Sequence, residues 1–487
     1  RPNIGPTHAA TPIQEQTYPH QDNSAQIQST GQKSKGKEKE TASDGQLEPM
    51  VVTASRMETP ISQVTKSVSV VSALDRDERQ QYFLPDLFST EPGVILRRLG
   101  GPGQWSNISL RGAGSQHTQF QYNGFPLRDA ADTQSTLQYF IEDLYSGSNL
   151  RQVEILKGTQ STLYGSQAMG GVINILPETW KHGTGAEFRS EVGERNTFLE
   201  HGRFYHGQDL LYFDFNPMYI KTDGLKNGGD HDFWYNNFGF TAGGGLKLTP
   251  NVTAEFSSVF YDADLALSRN TPSLDKSSNL VKNAADPKKH RKSLLGQYGL
   301  KMTHVVSPLW NYSLKGAYTE TQRHYFWSDI PGNQSNYDGS TGYLETQHNV
   351  HLTDWFTLLF GADYESASYD GREPRNPIAQ DYTAVPTKEA WYTWDLFSQA
   401  SLELLDEALL LNIGGRFNNP QAFDSKVVGE ASAAYIVKNT GTKFRAQVGT
   451  GYRTPSLYEI YGGFLFRGTM ITIGNPDLKP EARLGYE

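Results

Sequence analysis

Three groups of residues in this chain have types and spacing suited to binding, and none forms a catalytic set. Arg97–Trp105 (RRLGGPGQW) sets two guanidinium groups, Arg97 and Arg98, beside the indole of Trp105, and Arg128 opens a second polar turn, RDAADTQ. Guanidinium forks bind anions and an indole offers an aromatic face. Asp223, Asp230 and Asp232 are clustered oxygen donors of the kind that hold Ca²⁺, though their spacing is not that of a dedicated loop. Lys276, Lys282, Lys288, Lys289, His290, Arg291 and Lys292 crowd one segment, where they would steer anions or form a solvated face. Cysteine is absent, which removes thiolate metal sites and thiol nucleophiles. With no G-x-S-x-G, H-E-x-x-H or phosphate-cradling G-x-x-x-x-G-K-(S/T) sequence, the chain is read as no enzyme.

The elements that must position these groups are strands. Aromatics make up 12% of the 487 residues, with 26 Tyr, 24 Phe and 47 Gly, a balance that favours strands and turns over helices. No apolar run of about 18 residues occurs, so helical membrane spans are excluded. The mean hydropathy of −0.57 does not exclude a membrane barrel, whose strands show lipid only every second side chain. A net charge of −9 without a basic, aromatic-laced stripe argues against nucleic acid as a partner.

Residues 1–47 are polar, with the charge run KSKGKEKE, and read as a disordered leader; no signal peptide is visible before them. Residues 57–180 read as a small mixed α/β domain with strands at Val68–Val71, Val94–Leu96, Ile108–Leu110, Gln119–Tyr122, Val153–Leu156 and Val172–Leu176, and a helical patch at Leu84–Ser89. From residue 181 alternation is strict. Trp310, Tyr312, Leu314, Gly316 and Tyr318 oppose Asn311, Ser313, Lys315, Ala317 and Thr319; Phe356, Leu358, Phe360, Ala362 and Tyr364 oppose Thr357, Leu359, Gly361, Asp363 and Glu365. Period two sends such sets to opposite faces of a sheet. Short connections (Thr249–Asn251, Ser307–Leu309, Thr353–Trp355) alternate with long ones (Asp264–Lys292, Tyr325–Gly342, Tyr369–Glu389), as brief inner turns and extended outer loops do in an outer-membrane barrel. Trp310, Tyr312, Trp355 and Phe356 follow short turns, where an interfacial girdle would lie. About fourteen antiparallel strands are predicted over 181–487, against about 22 in a closed, plugged barrel, so further C-terminal strands are expected.

Leu150–Leu176 (LRQVEILKGTQSTLYGSQAMGGVINIL) closely resembles the plug signature of TonB-dependent receptors, from Arg151, Val153 and Glu154 through Lys157 and Gly158 to Gly170, Gly171 and Ile175. ISLRGAGS at Ile108–Ser115, NGFPL at Asn123–Leu127 and EPGV at Glu91–Val94 look like three further plug blocks in family order. Glu48–Arg56 (EPMVVTASR) resembles the TonB box. Met50, Val51, Val52, Thr53 and Ala54 are β-prone residues suited to adding a strand to a partner's sheet edge. YRTP, YEIYG and GNPDLKPE between Tyr452 and Glu481 resemble a late outer loop and the strand after it.

The resemblance implies an antiparallel membrane β-barrel with an N-terminal plug domain inside its lumen, in the outer membrane of a Gram-negative bacterium. It implies energised import of a scarce, large nutrient with TonB as periplasmic partner, and lipid and lipopolysaccharide around the barrel. A ferric siderophore is the leading cargo, with cobalamin or haem as alternatives and a passive porin or adhesin as the competing class. Arg97, Arg98, Trp105 and Arg128 are then placed at the outward apex as ligand contacts, with pairing of the arginines to barrel carboxylates as the competing reading. Arg111, Glu154 and Lys157 are expected to hold the plug in the barrel. No intrinsic cofactor is expected: iron would travel within the ligand, with Ca²⁺ on the outer loops as the alternative reading of the clustered aspartates. Haem receptors of the family carry a His between the late outer blocks; none occurs here between Tyr452 and Leu478, and His117, His231, His290 and His324 read as solvated.

Overall fold

Period-two alternation becomes a single antiparallel sheet of fourteen strands, in which each strand pairs with its neighbour in the chain from Gly183–Gly193 to Thr442–Arg453 and then to Glu481–Tyr486. The computed structural model describes residues 48–81, 83–144, 149–178, 182–224, 233–268, 285–376, 381–466 and 469–487. The leader, Asp230, His231, Asp232, Lys276 and Lys282 lie outside the described residues. Leu314, Tyr318, Leu344, Phe360 and Ile413 are exposed on the outer face, while Thr319, Leu359, Asp363 and Arg416 on the alternate positions are buried. The outer face is thus apolar and the inner face largely polar, the inverse of a water-soluble sandwich. Trp310 and Trp355 are exposed beside the short turns, as a girdle requires.

Short and long connections alternate as expected, but the long ones contain less loop than predicted. The Tyr325–Gly342 stretch is mostly ladder, since strands run on to Phe326 and resume at Gln334. Likewise one strand runs Phe356–Asn376 and the next Asp381–Leu404. Polar residues outside the bilayer break the apolar alternation that marks a membrane strand, yet backbone pairing continues there at no cost.

The segment before the wall is built on a five-stranded sheet ordered Ser67–Ser72, Leu150–Lys157, Gly171–Pro177, Thr118–Tyr122, Phe125–Leu127, with only Gly171–Pro177 and Thr118–Tyr122 parallel. A separate hairpin pairs Val94–Arg98 with Ser106–Leu110. The predicted helical patch appears as the helix Leu84–Leu87. Another helix, Ala73–Arg79, starts at a capping box in which Ser72 and Asp75 satisfy each other's backbone N–H groups.

This domain is lodged within the curve of the wall. Its core residues Leu150, Val153 and Ile155 share one apolar cluster with Leu199, Met218, Ile220, Val259 and Leu295 of the wall. On another flank Thr65 Oγ1 meets Ser432 Oγ at 2.8 Å, and Gln447 Nε2 donates to Thr159 O at 2.9 Å. The fold is therefore a plug inside a β-barrel wall.

Candidate functional site

The outward end of the plug is fixed by backbone contacts with wall residues near the long connections. Arg291 Nη2 donates to Gly103 O (2.6 Å) and Tyr139 O (3.0 Å), and Gln104 Nε2 donates to Ala266 O (3.1 Å). Gly103 has φ +73°, and a Cβ there would collide with the Tyr235 ring, so only glycine lets the loop come this close. Arg291 is buried in this contact. It is a structural clamp and not the steering cation that its lysine-rich surroundings suggested.

The apex arginines have different fates. The Arg97 side chain is exposed and makes no hydrogen bond or ion pair with described residues. Arg98 is held by Asp86 (2.7 Å) and Glu142 (2.7 Å), both carboxylates of the plug itself. Arg128 pairs with the wall carboxylate Glu365 at 2.9 Å, both largely buried. Trp105 is half-buried in the same loop. Next to Arg128 lies the best-anchored plug residue, Asp129, which sequence reasoning missed. Its carboxylate accepts from Arg323 Nε (2.8 Å), Thr321 Oγ1 (2.7 Å) and Ala131 N (2.9 Å). Above it Tyr325 stacks on Trp327, and Tyr458 abuts Tyr337 and Tyr369. Tyr458 sits on the helix Leu457–Tyr461, capped by Ser456, whose hydroxyl also donates to Thr133 O at 2.7 Å. The late outer loop is thereby fastened over the apex.

Of the three expected anchors, one reaches the wall. Arg111 pairs with Glu487. Lys157 instead donates to Ser69 Oγ (2.7 Å), inside the plug, and burial pulls its pKa below the ordinary lysine value. Glu154 is likewise internal: its carboxylate accepts from Val52 N (3.0 Å) and Thr53 N (2.7 Å). Both lie on Leu150–Lys157, a strand flanked on either side by plug strands, so their partners are plug groups. Further pairs join plug to wall: Lys66 with Glu430, Arg56 with Glu345 (2.6 Å), and Asp129 with Arg323.

Glu154 brings the TonB-box-like segment into view at the inward end. Met50–Val51 pairs with Thr59–Pro60, but the rest is not an extended strand on offer. Val51, Thr53 and Ala54 are buried. Tyr164 OH donates to Thr53 O (2.6 Å), Gln152 Nε2 to Met50 O (2.9 Å) and Asn174 Nδ2 to Thr53 Oγ1 (3.1 Å). Strand addition from this segment, as its resemblance to the TonB box implies, therefore requires its release from these bonds.

No group of three His, Asp or Glu suited to a metal occurs among the described residues. Asp223 accepts from Asn196 Nδ2 at 2.6 Å, and its companions Asp230 and Asp232 are outside the described residues. His117 pairs with Glu481 (2.6 Å), His290 with Asp264 (2.8 Å) and His324 with Asp338 (2.8 Å), so each is engaged by a carboxylate and not simply solvated.

Comparison with known proteins agrees with this geometry. Residues 60–172 match the TonB-dependent receptor plug domain, and residues 222–487, more than half the chain, match the TonB-dependent receptor-like β-barrel. The vitamin B12 transporter BtuB of Photobacterium profundum is 23% identical over 457 residues, 92% of this chain and 67% of that protein. Among solved structures, the ferric enterobactin receptor PfeA of Pseudomonas aeruginosa superposes with a TM-score of 0.64 at 17% identity, covering 90% of this chain and 70% of that one. The ferric yersiniabactin uptake receptor FyuA of Yersinia pestis gives 0.65 at 18%, covering 87% and 69%. With a plug held inside an outward-apolar wall and both family models matched in order, the chain belongs to the TonB-dependent receptors of the outer membrane.

Proposed function

We propose that this receptor imports a ferric siderophore, driven by TonB acting on residues 50–54. The observation that carries the reading is the division of the plug into two differently equipped ends. The outward apex presents Trp105 and Arg97, whose side chain no described residue engages, beneath a rim of half-buried wall and late-loop rings, Tyr325, Trp327 and Tyr458. The inward end holds a β-prone segment by hydrogen bonds that a pull could break. Arg98 and Arg128 are already ion-paired, so stacking and hydrogen bonding outweigh charge in holding the ligand.

Cobalamin is the second reading, favoured by the likeness to BtuB over 92% of this chain. Cells carrying the receptor should accumulate radio-iron from a ferric siderophore more than labelled cyanocobalamin, and only when TonB is present. Equal accumulation without TonB would leave a passive pore and end the proposal; cobalamin uptake alone would transfer it to the second reading. Arg97→Glu should weaken siderophore binding by about tenfold, as loss of one charge-assisted contact of roughly 1.5 kcal/mol implies, whereas Arg98→Glu should chiefly loosen the apex.

A further inference from the structure

We infer that Glu373 is the positioning residue of the apex: it fixes the ring wall around the ligand seat, and the wall so fixed selects a ferric chelate that carries aromatic rings. The inference rests on the siderophore reading above and deepens it. Glu373 lies near the outer end of the strand Phe356–Asn376, on the buried face that also carries Ala367 and Tyr369. Its carboxylate forms no ion pair with a described residue. Arg372, one position back, is exposed on the other face, where Asp370 holds it at 3.3 Å. Arg323, whose guanidinium lies 5.2 Å from the Tyr337 ring centroid, pairs with Asp129. Buried charges are ordinarily paired with opposite charges. Hydroxyls meet this one instead: Ser335 Oγ donates to Oε2 at 2.5 Å, and Tyr337 OH donates to Oε1.

An ionised carboxylate only accepts hydrogen bonds, so both hydroxyl protons point at it. With its own proton committed, Ser335 Oγ is left as an acceptor, and Trp327 Nε1 donates to it at 2.9 Å. One buried charge thus directs a relay from Trp327 through Ser335 to Glu373 and separately pins the phenol of Tyr337. The other rings lean on these two. Tyr325 stacks on Trp327 (5.4 Å between centroids, 11°) and meets Tyr337 edge-on (5.9 Å, 83°). Tyr458 of the late loop lies 6.3 Å from Tyr337 and 5.9 Å from Tyr369. Gly371 faces Tyr337 across the ladder, and a Cβ there would collide with the Tyr369 ring, so the missing side chain makes room for that ring. Tyr325, Trp327 and Tyr458 stay half-buried, with ring surface left to cover. Rings already held in place stack on a flat aromatic partner with little entropy left to lose. An aliphatic chelate offers them no such partner.

The test is equilibrium binding by the full-length receptor of two probes: ferric enterobactin, an anionic catecholate, and ferrichrome, a hydroxamate without aromatic rings. The parent should bind ferric enterobactin more tightly. Glu373→Gln keeps the size of the side chain and removes its charge. Positioning predicts that this variant binds ferric enterobactin about tenfold more weakly. Charge alone predicts the opposite sign, because a carboxylate has been removed from beside an anion. Ser335→Ala cuts the relay to Trp327 without changing charge and should weaken the same probe about fivefold. In a Trp327→Phe background, Ser335→Ala should change affinity by less than about twofold, whereas a merely structural loss would be equal in both backgrounds. Should Glu373→Gln fail to fold, the Ser335 pair carries the test alone. Unchanged or tighter binding by Glu373→Gln, or an equal effect of Ser335→Ala in both backgrounds, overturns the role of Glu373. Ferrichrome bound by the parent as tightly as ferric enterobactin overturns the ring selectivity. A parent that binds neither chelate overturns the siderophore reading, and the inference with it.

Discussion

Glu154 spends its charge on two backbone N–H groups of residues 52 and 53, a use of a carboxylate that its place in a family motif does not announce. Charge-assisted bonds of this kind contribute about 1.5–3 kcal/mol. Glu154→Gln should therefore free the segment in the resting receptor and tighten binding of a soluble periplasmic TonB fragment by about tenfold or more. Calorimetry showing unchanged affinity would remove Glu154 from the latch. Asp143, on the outward half of the plug, is the residue whose titration should be visible. Burial pushes its pKa to about 7 from 3.8, Arg291 pulling the other way, and Tyr235 OH donates to it at 2.8 Å. A carboxyl raised on folding stabilises the protonated native state. Its contribution is complete below the unfolded value and is lost as pH rises through about 7. Asp143→Asn should accordingly flatten the decline in urea midpoint between pH 4 and pH 7. A decline as steep as that of the parent protein would place the titrating group elsewhere.

At the level of elements, the wall strands were legible because period two is a local property: five or six consecutive side chains reveal which face is which, as in Trp310–Thr319. The plug strands were legible for a different reason, their order within recognisable blocks. What joins the two was not legible. Asp129 meets Arg323, 194 positions away, and Lys66 meets Glu430; no spacing rule connects partners brought together only by the curving of a wall around a core. The same holds for the box, whose Val-Val-Thr looks like a strand in isolation and is retained by Glu154 and Tyr164 a hundred residues downstream. Such buried pairs fix position more than they stabilise, but breaking one leaves an uncompensated charge. Asp129→Asn should thus cost about 3–5 kcal/mol, seen as a lowered denaturation midpoint and easier proteolysis of the plug. A double Asp129→Asn, Arg323→Met receptor should recover most of that loss. Equal stability of parent and single variant would mean Arg323 finds water instead.

For the whole molecule, the height of the wall decides where recognition happens. Asp381–Leu404 is 24 residues long, about 80 Å of strand and, tilted at about 40°, roughly 60 Å of rise, against an apolar band of about 25 Å. The surplus stands above the bilayer on the side of the long connections. At the level where Arg323 grips the plug, the outer surface carries Asp264, His324 and Asp338, groups that belong in water. For a cargo seated at the apex, as proposed above, the consequence is that its recognition takes place among wall strands standing clear of the apolar band, where the thickness of the membrane does not set the geometry of the site.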